Sequence, residues 1–163
     1  MKTSIVTLLI TFCFYLSVYA QAPQDKATEL KEQALSSLKQ KDYIKARYLF
    51  KKAYEAFAAR ENYPQAIECG IQTNALYVRE NFYKEGFELC RDMEQFIWTG
   101  EQKQKKVFYD LRFPISKERL QMYIALKNPA QAKNQLDKLE EMAGLAKNDS
   151  LMEVLLYTKA NYY

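Results

Sequence analysis

The sequence predicts an all-α protein built from antiparallel helical hairpins. Apolar residues recur three and four positions apart along most of the chain, and no stretch shows the sustained alternation of a half-buried strand. Glycine and proline, four of each among 163 residues, are too few for the many tight turns of an all-β protein. Ala, Leu, Lys, Glu and Gln dominate, and all of them favour helix. A chain of this length forms one domain of ordinary size.

The first twenty residues have the layout of a secretory signal peptide. Lys2 gives a positive start, residues 5–18 form an uncharged and mostly apolar run, and Val18 and Ala20 place small side chains before a cleavage point. We expect cleavage after Ala20, which leaves residues 21–24 as a short tail before a helical domain. The alternative is an uncleaved anchor, although the run is short for a membrane span. The mature chain is therefore expected to be periplasmic or secreted.

The composition argues against several classes of function. The net charge of +4, which falls to +3 without Lys2, is too small and too dispersed to indicate a nucleic-acid-binding protein. The sequence contains no histidine, the commonest general base and the commonest metal ligand. It also contains no glycine-flanked nucleophile and no Gly-rich phosphate loop. We expect no catalytic site, no metal and no cofactor.

Cys69 and Cys90 are the two cysteines outside the signal segment. An exported protein can form a disulfide, but each of these cysteines occupies a position where a small apolar residue would pack. Further metal ligands are lacking around them, so zinc is not expected. We favour two thiols in the core and keep a disulfide as the alternative.

Capping residues divide the rest of the chain into helices. Asp25 can cap the first helix and Asn81 the fourth, while Pro64 and Pro129 suit the first turn of later helices. The predicted helices cover residues 25–39, 43–60, 63–79, 81–98, 101–127, 129–144 and 150–163. Short polar turns join them, so neighbours in sequence should pair.

Two residues predict interruptions in the second half of the chain. Gly100 is expected to close the fourth helix, because glycine is favoured just past a helix end. Pro114 is expected to kink or break the following stretch, because proline removes a hydrogen bond and clashes with the preceding turn. The second part of that stretch would then begin at Pro114.

Three of the turns are followed by the same pattern. A tiny residue comes first, with apolar residues four and seven positions later, which places all three on one helix face. The tiny residues are Ala46, Gly86 and Ala132. The residues four and seven positions later are Phe50 and Ala53, Cys90 and Met93, and Leu136 and Leu139. The preceding helices place Ala34, Asn74 and Leu120 twelve positions before each tiny residue. A tiny residue at this position lets two paired helices approach closely.

This arrangement resembles the tetratricopeptide repeat. That family has a small residue in the first helix, an alanine twelve positions later, then an aromatic residue and another alanine. The first repeat matches at Ala34, Ala46, Phe50 and Ala53. The second departs at Asn74, Gly86, Cys90 and Met93, and the third keeps Ala132 but departs at Leu120 and Leu139. The tiny residues are 40 and 46 apart, longer than the usual 34, which longer helices and an insertion around residues 101–112 would explain.

The resemblance implies a right-handed α-α superhelix, a solenoid of about 3.5 hairpin repeats. A fourth repeat begins with Leu156, Ala160 and Tyr163 at the positions that Leu30, Ala34 and Ser37 occupy in the first. We expect a first helix without its partner, which leaves an apolar face uncovered. Either the chain is a piece of a longer protein, which we favour, or its last helix docks on a partner.

The resemblance also implies a binding groove, because the first helix of each pair lines the concave side in that family. The ligand-facing positions, carried onto this sequence, are Thr28, Lys31, Leu35, Leu38 and Lys39 in the first repeat, Glu68, Ile71, Ala75, Val78 and Arg79 in the second, and Pro114, Lys117, Gln121, Ile124 and Ala125 in the third. The predicted groove consists of these residues without Thr28, Glu68, Pro114 and Ala125. Leu35 stands where some members have the asparagine of a carboxylate clamp, so we do not expect that clamp. An extended or helical peptide with some acidic character is expected instead. The alternative for each residue is packing between repeats.

The sequence therefore predicts a non-catalytic module that binds another protein or a peptide outside the cytoplasm. One alternative is the N-terminal periplasmic sensory region of a truncated membrane histidine kinase or helix-turn-helix regulator, which would lie close to a membrane. Another is an enzyme or a glycan-binding protein with helical repeats, since 13 tyrosines could line aromatic pockets.

Two short motifs each have a structural and a functional interpretation. Residues 103–106 form a basic run, which is expected to be a solvated helix face, with contact to acidic lipid headgroups as the alternative. Residues 148–150 match the acceptor pattern for N-glycosylation. We expect them to form only a loop and a helix cap.

Overall fold

The computed structural model of the protein describes residues 25–162, and this range contains seven α-helices and no strand. The helices are α1 (Lys26–Lys39), α2 (Tyr43–Ala58), α3 (Tyr63–Arg79), α4 (Tyr83–Gln104), α5 (Tyr109–Ala125), α6 (Pro129–Ala146) and α7 (Asp149–Tyr162). The all-α prediction is confirmed. The predicted signal peptide, the tail and Tyr163 lie outside the described residues. Between Asp25 and Tyr162, no helix is both long enough and apolar enough to span a membrane.

Each helix packs against the next one in the chain, and α3 also packs against α5. The buried side chains form three core clusters. The first cluster joins α1, α2 and α3, the second joins α3, α4 and α5, and the third joins α5, α6 and α7. Helices α3 and α5 therefore contribute to two clusters each, and the core continues from one helix pair to the next.

A 40-residue repeat is visible in the structure. Helix α2 begins at Tyr43 and α4 at Tyr83, and residues 41–50 have the same order of buried and exposed positions as residues 81–90. Helix α4 has 22 residues and α2 has 16. These six additional residues at the end of α4 account for the longer spacing to the third pair. The predicted lengthening is thus a longer helix.

The tiny residues pack as the sequence predicts. Ala46, Gly86 and Ala132 are all buried. A β-carbon at Gly86 would lie 3.0 Å from Oδ1 of Asn74, so these two positions face each other across the pair. The first pair has Ala34 opposite Ala46, whereas the second has the larger Asn74 opposite the smaller glycine. The smaller glycine leaves room for the larger asparagine, so the two helices of the second pair stay close.

Four of the turns share one hydrogen-bonding arrangement. A residue with positive φ lies just past the helix end, at Lys41, Glu61, Asn81 and Lys127. Its backbone N–H donates to the carbonyl three residues earlier, and the next N–H donates to the carbonyl five residues earlier, as Lys41 does to Leu38 and Asp42 to Ser37. This is the Schellman motif, here without glycine. In three cases the side chain of the residue that completes the motif also accepts a hydrogen bond from a backbone N–H in the first turn of the following helix. These residues are Asp42, Asn62 and Asn128.

Three predicted boundaries were wrong. Asn81 has positive φ and precedes Phe82, which is the N-cap of α4 but makes no side-chain hydrogen bond there. Gly100 does not close α4, which continues to Gln104. The chain breaks at residues 105–108, and Pro114 lies inside α5 without interrupting it.

Candidate functional site

The predicted groove residues fall on α1, α3 and α5, at spacings of 40 and 46 residues. Three of the five sets of equivalent ligand-facing positions have the same exposure on the three helices, whereas Glu68 and Ile124 are more exposed than their equivalents. Leu35, Ala75 and Gln121 are exposed, as are Lys39, Arg79 and Ala125, whereas Lys31, Ile71 and Lys117 are half-buried. The repeat therefore extends to the surface of these three helices and is not confined to the core.

Lys31 joins α1 to α3. Its ammonium nitrogen lies 2.7 Å from a carboxylate oxygen of Glu68 and donates a hydrogen bond of 2.9 Å to Oε1 of Gln65. The Lys31 side chain is 18% exposed, and Glu68 is more open to solvent. The positive charge of Lys31, which was predicted to attract an acidic ligand, is thus paired with Glu68 within the chain. Lys31 connects α1 to α3, the first helices of two neighbouring hairpins.

Asn74 and Glu118 join α3 to α5. Nδ2 of Asn74 donates a hydrogen bond of 3.1 Å to a carboxylate oxygen of Glu118. Asn74 is completely buried, and its Oδ1 has no hydrogen-bond partner among residues 25–162. Burial raises the pKa of Glu118, and this effect outweighs the opposing effects of the Asn74 hydrogen bond and of Lys117. This polar contact aligns α3 with α5, which are the first helices of the second and third hairpins.

The predicted groove residues divide into three groups. Leu38 packs against the first core cluster, and Ile71 and Val78 pack against the second, so these three contribute to packing between helices. Lys31 and Lys117 are half-buried, and Lys31 is paired with Glu68. The remaining six are exposed and are called here the first-helix face: Leu35, Lys39, Ala75, Arg79, Gln121 and Ile124.

An aromatic ring orients one cation of the first-helix face. The guanidinium carbon of Arg79 lies 3.9 Å from the centroid of the Tyr43 ring. The neighbouring Arg47 forms an ion pair with Glu80 and lies over the ring of Tyr77. A stacked guanidinium keeps its hydrogen-bond donors at its edge, where a carboxylate can bind. Arg79 is therefore a better candidate for contact with an acidic group than Lys31.

A cleft that the sequence did not predict lies between the α2–α3 turn and the α4–α5 connection. It has a volume of about 570 Å³, within the range of ligand pockets. Its apolar wall consists of Tyr63, Pro64, Val107, Phe108 and Leu111, and we call it the inter-hairpin cleft. The only sequence signal for it is the added length of α4, which the predicted insertion around residues 101–112 indicated in a general way.

A buried carboxylate fixes the α4–α5 connection beside this cleft. Glu101 is 6% exposed. It accepts hydrogen bonds of 2.7 Å from the backbone N–H of Phe108 and from Nε of Arg112, and it forms an ion pair with the same guanidinium. Burial would raise the pKa of Glu101, but the hydrogen bonds from Arg112 and Phe108 outweigh it and lower the pKa below the ordinary value. The carboxylate stays ionised at neutral pH.

An aromatic stack forms the floor of the inter-hairpin cleft. The Tyr63 ring stacks on Phe96 with 4.6 Å between centroids, and the Phe108 ring lies at 5.5 Å on the other side. A β-carbon at Gly100 would overlap the Tyr63 ring, which explains why glycine occurs inside a helix at this position. This long-range contact, and not a helix end, is what requires Gly100.

The remaining sequence motifs have structural roles. Lys103 forms an ion pair with Glu61, and both side chains are about half exposed, so the basic run belongs to a solvated surface. Oδ1 of Asn148 accepts from the backbone N–H of Ser150 and caps α7, as predicted. In the part of the chain that the structure describes, no group of three or more Cys, Asp or Glu side chains is arranged to hold a metal ion.

Cys69 and Cys90 are free and fully buried. They belong to the first and second core clusters, which confirms the prediction of two core thiols. Burial raises the pKa of Cys69 to about 11 and that of Cys90 to about 12. Neither thiol is ionised at neutral pH, and neither is suited to act as a nucleophile.

Comparison of the chain with protein-family models, with curated proteins and with solved structures gives no significant match.

Proposed function

We propose that the protein is a non-catalytic module of about 3.5 tetratricopeptide-like hairpins, wound as a right-handed superhelix, that binds a peptide or a segment of another protein. Three of the five sets of equivalent ligand-facing positions on α1, α3 and α5 have the same exposure, and this regularity carries the proposal. A surface that repeats from helix to helix suits a ligand that runs across several helices.

Two contacts support a continuous binding surface. Lys31 with Glu68 connects α1 to α3, and Asn74 with Glu118 connects α3 to α5. If each hairpin keeps the same relation to the next, the first helices line one side of a superhelix, which would be its concave side.

The chemistry of the first-helix face suggests the character of the peptide. Leu35, Ala75 and Ile124 are apolar, Lys39 and Arg79 are basic, and Glu68, the acidic ligand-facing position, is paired with Lys31. A peptide with apolar side chains and at least one carboxylate complements this surface. Because Lys39 and Arg79 are exposed, salt should weaken the binding. We also propose that the module acts outside the cytoplasm, on the basis of the signal-peptide pattern in residues 1–20.

Selection from a displayed random-peptide library tests this proposal. Selected peptides should bind the full chain and lose roughly tenfold or more in affinity with Leu35→Glu or Ala75→Glu, because a charge then faces the ligand's apolar side chains. Ile44→Glu is the matched control, since Ile44 is 70% exposed on α2. Circular dichroism verifies that each variant is folded. If all three variants bind like the parent chain, the first-helix face is not the binding surface.

A further inference from the structure

Buried contacts fix both walls of the inter-hairpin cleft. On the α4–α5 side, the Glu101 carboxylate accepts hydrogen bonds from the backbone N–H of Phe108 and from Arg112. On the α2–α3 side, the Tyr63 ring lies between the rings of Phe96 and Phe108. The cleft, with a volume of about 570 Å³, is therefore already formed in the chain, as binding sites for small molecules usually are.

The dimensions of the cleft suit a small molecule. Its walls come from residues 61–64 and 104–111, which lie at the ends of helices. The helices that border it, α3, α4 and α5, all pack against one another, so the cleft is not the place of a missing helix. A helix with its side chains is about 10–12 Å across and needs a groove that continues over several turns. A molecule with one or two rings fits the volume instead.

Tyr63 gives the cleft a polar group without a partner. The side chain lines the cleft, is 6% exposed, and places its hydroxyl beside Gly100. Within residues 25–162 the hydroxyl makes no hydrogen bond. A buried tyrosine hydroxyl usually has a hydrogen-bond partner, so an acceptor on a bound ligand would complete this site.

Lys106 determines which charge on a ligand is favoured. It is the one cation among the residues that line the cleft, and its side chain makes no ion pair in the described part of the chain. The two carboxylates of the lining are engaged. Glu61 pairs with Lys103, and Asp110 accepts a hydrogen bond of 2.9 Å from Asn148. The cleft therefore has one positive charge available for a ligand.

We propose that the inter-hairpin cleft binds a small aromatic carboxylate. The ring of the ligand packs against Val107, Phe108 and Leu111, and its carboxylate accepts hydrogen bonds from the Tyr63 hydroxyl and the Lys106 ammonium group. An aromatic ring is favoured over an alkyl chain because it gains ring contacts with Phe108 and Tyr63. This site is separate from the first-helix face, and it does not depend on the binding of a peptide there.

Three naphthalene compounds of the same substitution pattern serve as matched probes. Naphthylacetate is an anion, naphthylacetamide is neutral and naphthylethylamine is a cation, so they test the charge preference with one ring system. Isothermal titration calorimetry with the full chain measures each affinity. At low salt the acetate should bind about threefold to fivefold more tightly than the acetamide, and the amine should bind most weakly. High salt should reduce these ratios.

Substitutions in the cleft test the role of each group. Tyr63→Phe should weaken naphthylacetate about fivefold, with the midpoint of urea unfolding little changed, because the lost hydroxyl makes no hydrogen bond within residues 25–162. Lys106→Gln should remove the preference for the acetate over the acetamide. Lys105→Gln, at an exposed neighbour that does not line the cleft, is the matched control and should keep that preference.

Val107→Glu tests the apolar wall. Val107 is 47% exposed, so the chain should fold with a charge there. The variant should bind both the acetate and the acetamide at least about tenfold more weakly, because the charge replaces an apolar contact. Leu35→Glu, on the first-helix face, should leave both affinities unchanged, which separates this proposal from the peptide-binding one.

Three results would overturn the proposal. The first is an absence of naphthylacetate binding, and the second is binding that Val107→Glu does not weaken. The third is equal affinity for the three compounds, or an equal effect of Lys105→Gln and Lys106→Gln, because the cleft would then not select a carboxylate.

Discussion

Replacement of Glu101 by alanine should destabilise the protein more than any exposed acidic substitution. The carboxylate is 6% exposed and accepts hydrogen bonds from the Phe108 N–H and from Arg112. Alanine leaves the N–H without an acceptor, at a cost of about 1–3 kcal/mol. The guanidinium, with its side chain 31% exposed, regains part of its hydration and adds about 1 kcal/mol. We expect a loss of about 3 kcal/mol in the free energy of unfolding.

The Glu101→Gln variant separates the charge from the hydrogen bond. An amide oxygen can still accept from Phe108, so the expected loss is about 1–2 kcal/mol at pH 7. The folded-state pKa of Glu101 is lowered, so its stabilising contribution is present above the unfolded-state pKa, near 4.3, and is lost as the pH falls through the folded-state pKa. The stability difference between the parent chain and Glu101→Gln should therefore shrink below about pH 4.

Urea unfolding followed by far-ultraviolet circular dichroism measures these differences at pH 7 and at pH 3. Glu61→Gln is the control, because Glu61 is about half exposed and pairs only with the exposed Lys103 among the described residues. An exposed pair of this kind contributes at most about 1 kcal/mol. If Glu101→Gln is as stable as Glu61→Gln at pH 7, or if its deficit is no smaller at pH 3 than at pH 7, the role assigned to Glu101 is wrong.

Three further predictions concern packing, turns and thiols. Gly86→Ala should cost about 1–2 kcal/mol because its β-carbon would lie 2.7 Å from Sδ of Met122 and 3.0 Å from Oδ1 of Asn74, and the cost should be smaller in a background that carries both Asn74→Ala and Met122→Ala; thermal unfolding with and without Gly86→Ala in the two backgrounds measures the difference. Lys41→Gly should raise the free energy of unfolding by about 1 kcal/mol, because φ at Lys41 is 61° and glycine adopts positive φ without strain; a lower midpoint of urea unfolding would contradict this. Cys69 and Cys90 should react with a thiol reagent at pH 8 only as fast as the chain unfolds, since burial raises both pKa values; rapid labelling of the folded chain would show that a thiol is accessible.

Local signals explain why much of the fold could be predicted. The turn before Tyr43 recurs before Tyr83 because the same short-range backbone hydrogen bonds form at both places, and at the first of them the capping residue Asp42 marks the turn in the sequence. Tiny residues identified the paired faces, because only a residue such as Gly86 fits where two helices approach closely. These features depend on residues within about one turn of each other, or on a fixed spacing along a pair.

The errors fell where distant residues decide the local structure. Glycine is typical of a helix end. At Gly100, however, the ring of Tyr63, which lies 37 positions earlier in the chain, occupies the space that a β-carbon would need. Helix α4 therefore continues, and it breaks only where Glu101 can reach Phe108 and Arg112. Pro114 is tolerated in the second turn of α5 and does not start the helix. No pattern within a short window contains this information.

The spacing of the residues in the candidate site could be predicted from the sequence, but the pairing of their charges could not. Equivalent positions such as Leu35 and Ala75 are exposed on successive helices, as the repeat implies. Lys31, in contrast, is engaged by Glu68 and Gln65 on another helix, and a sequence repeat does not reveal which charges pair. The inter-hairpin cleft also escaped prediction, because it joins the α2–α3 turn to residues more than 40 positions away.

The most direct test of the central claim maps a selected peptide onto the chain by the chemical shifts of backbone amides. The account predicts that the largest shift changes on binding occur at Leu35, Ala75 and Gln121 and their neighbours on α1, α3 and α5. Changes concentrated instead on the exposed residues of α2 and α4, such as Ile44 and Trp98, with none on the first helices, would contradict the proposal that the repeated first-helix face binds the ligand.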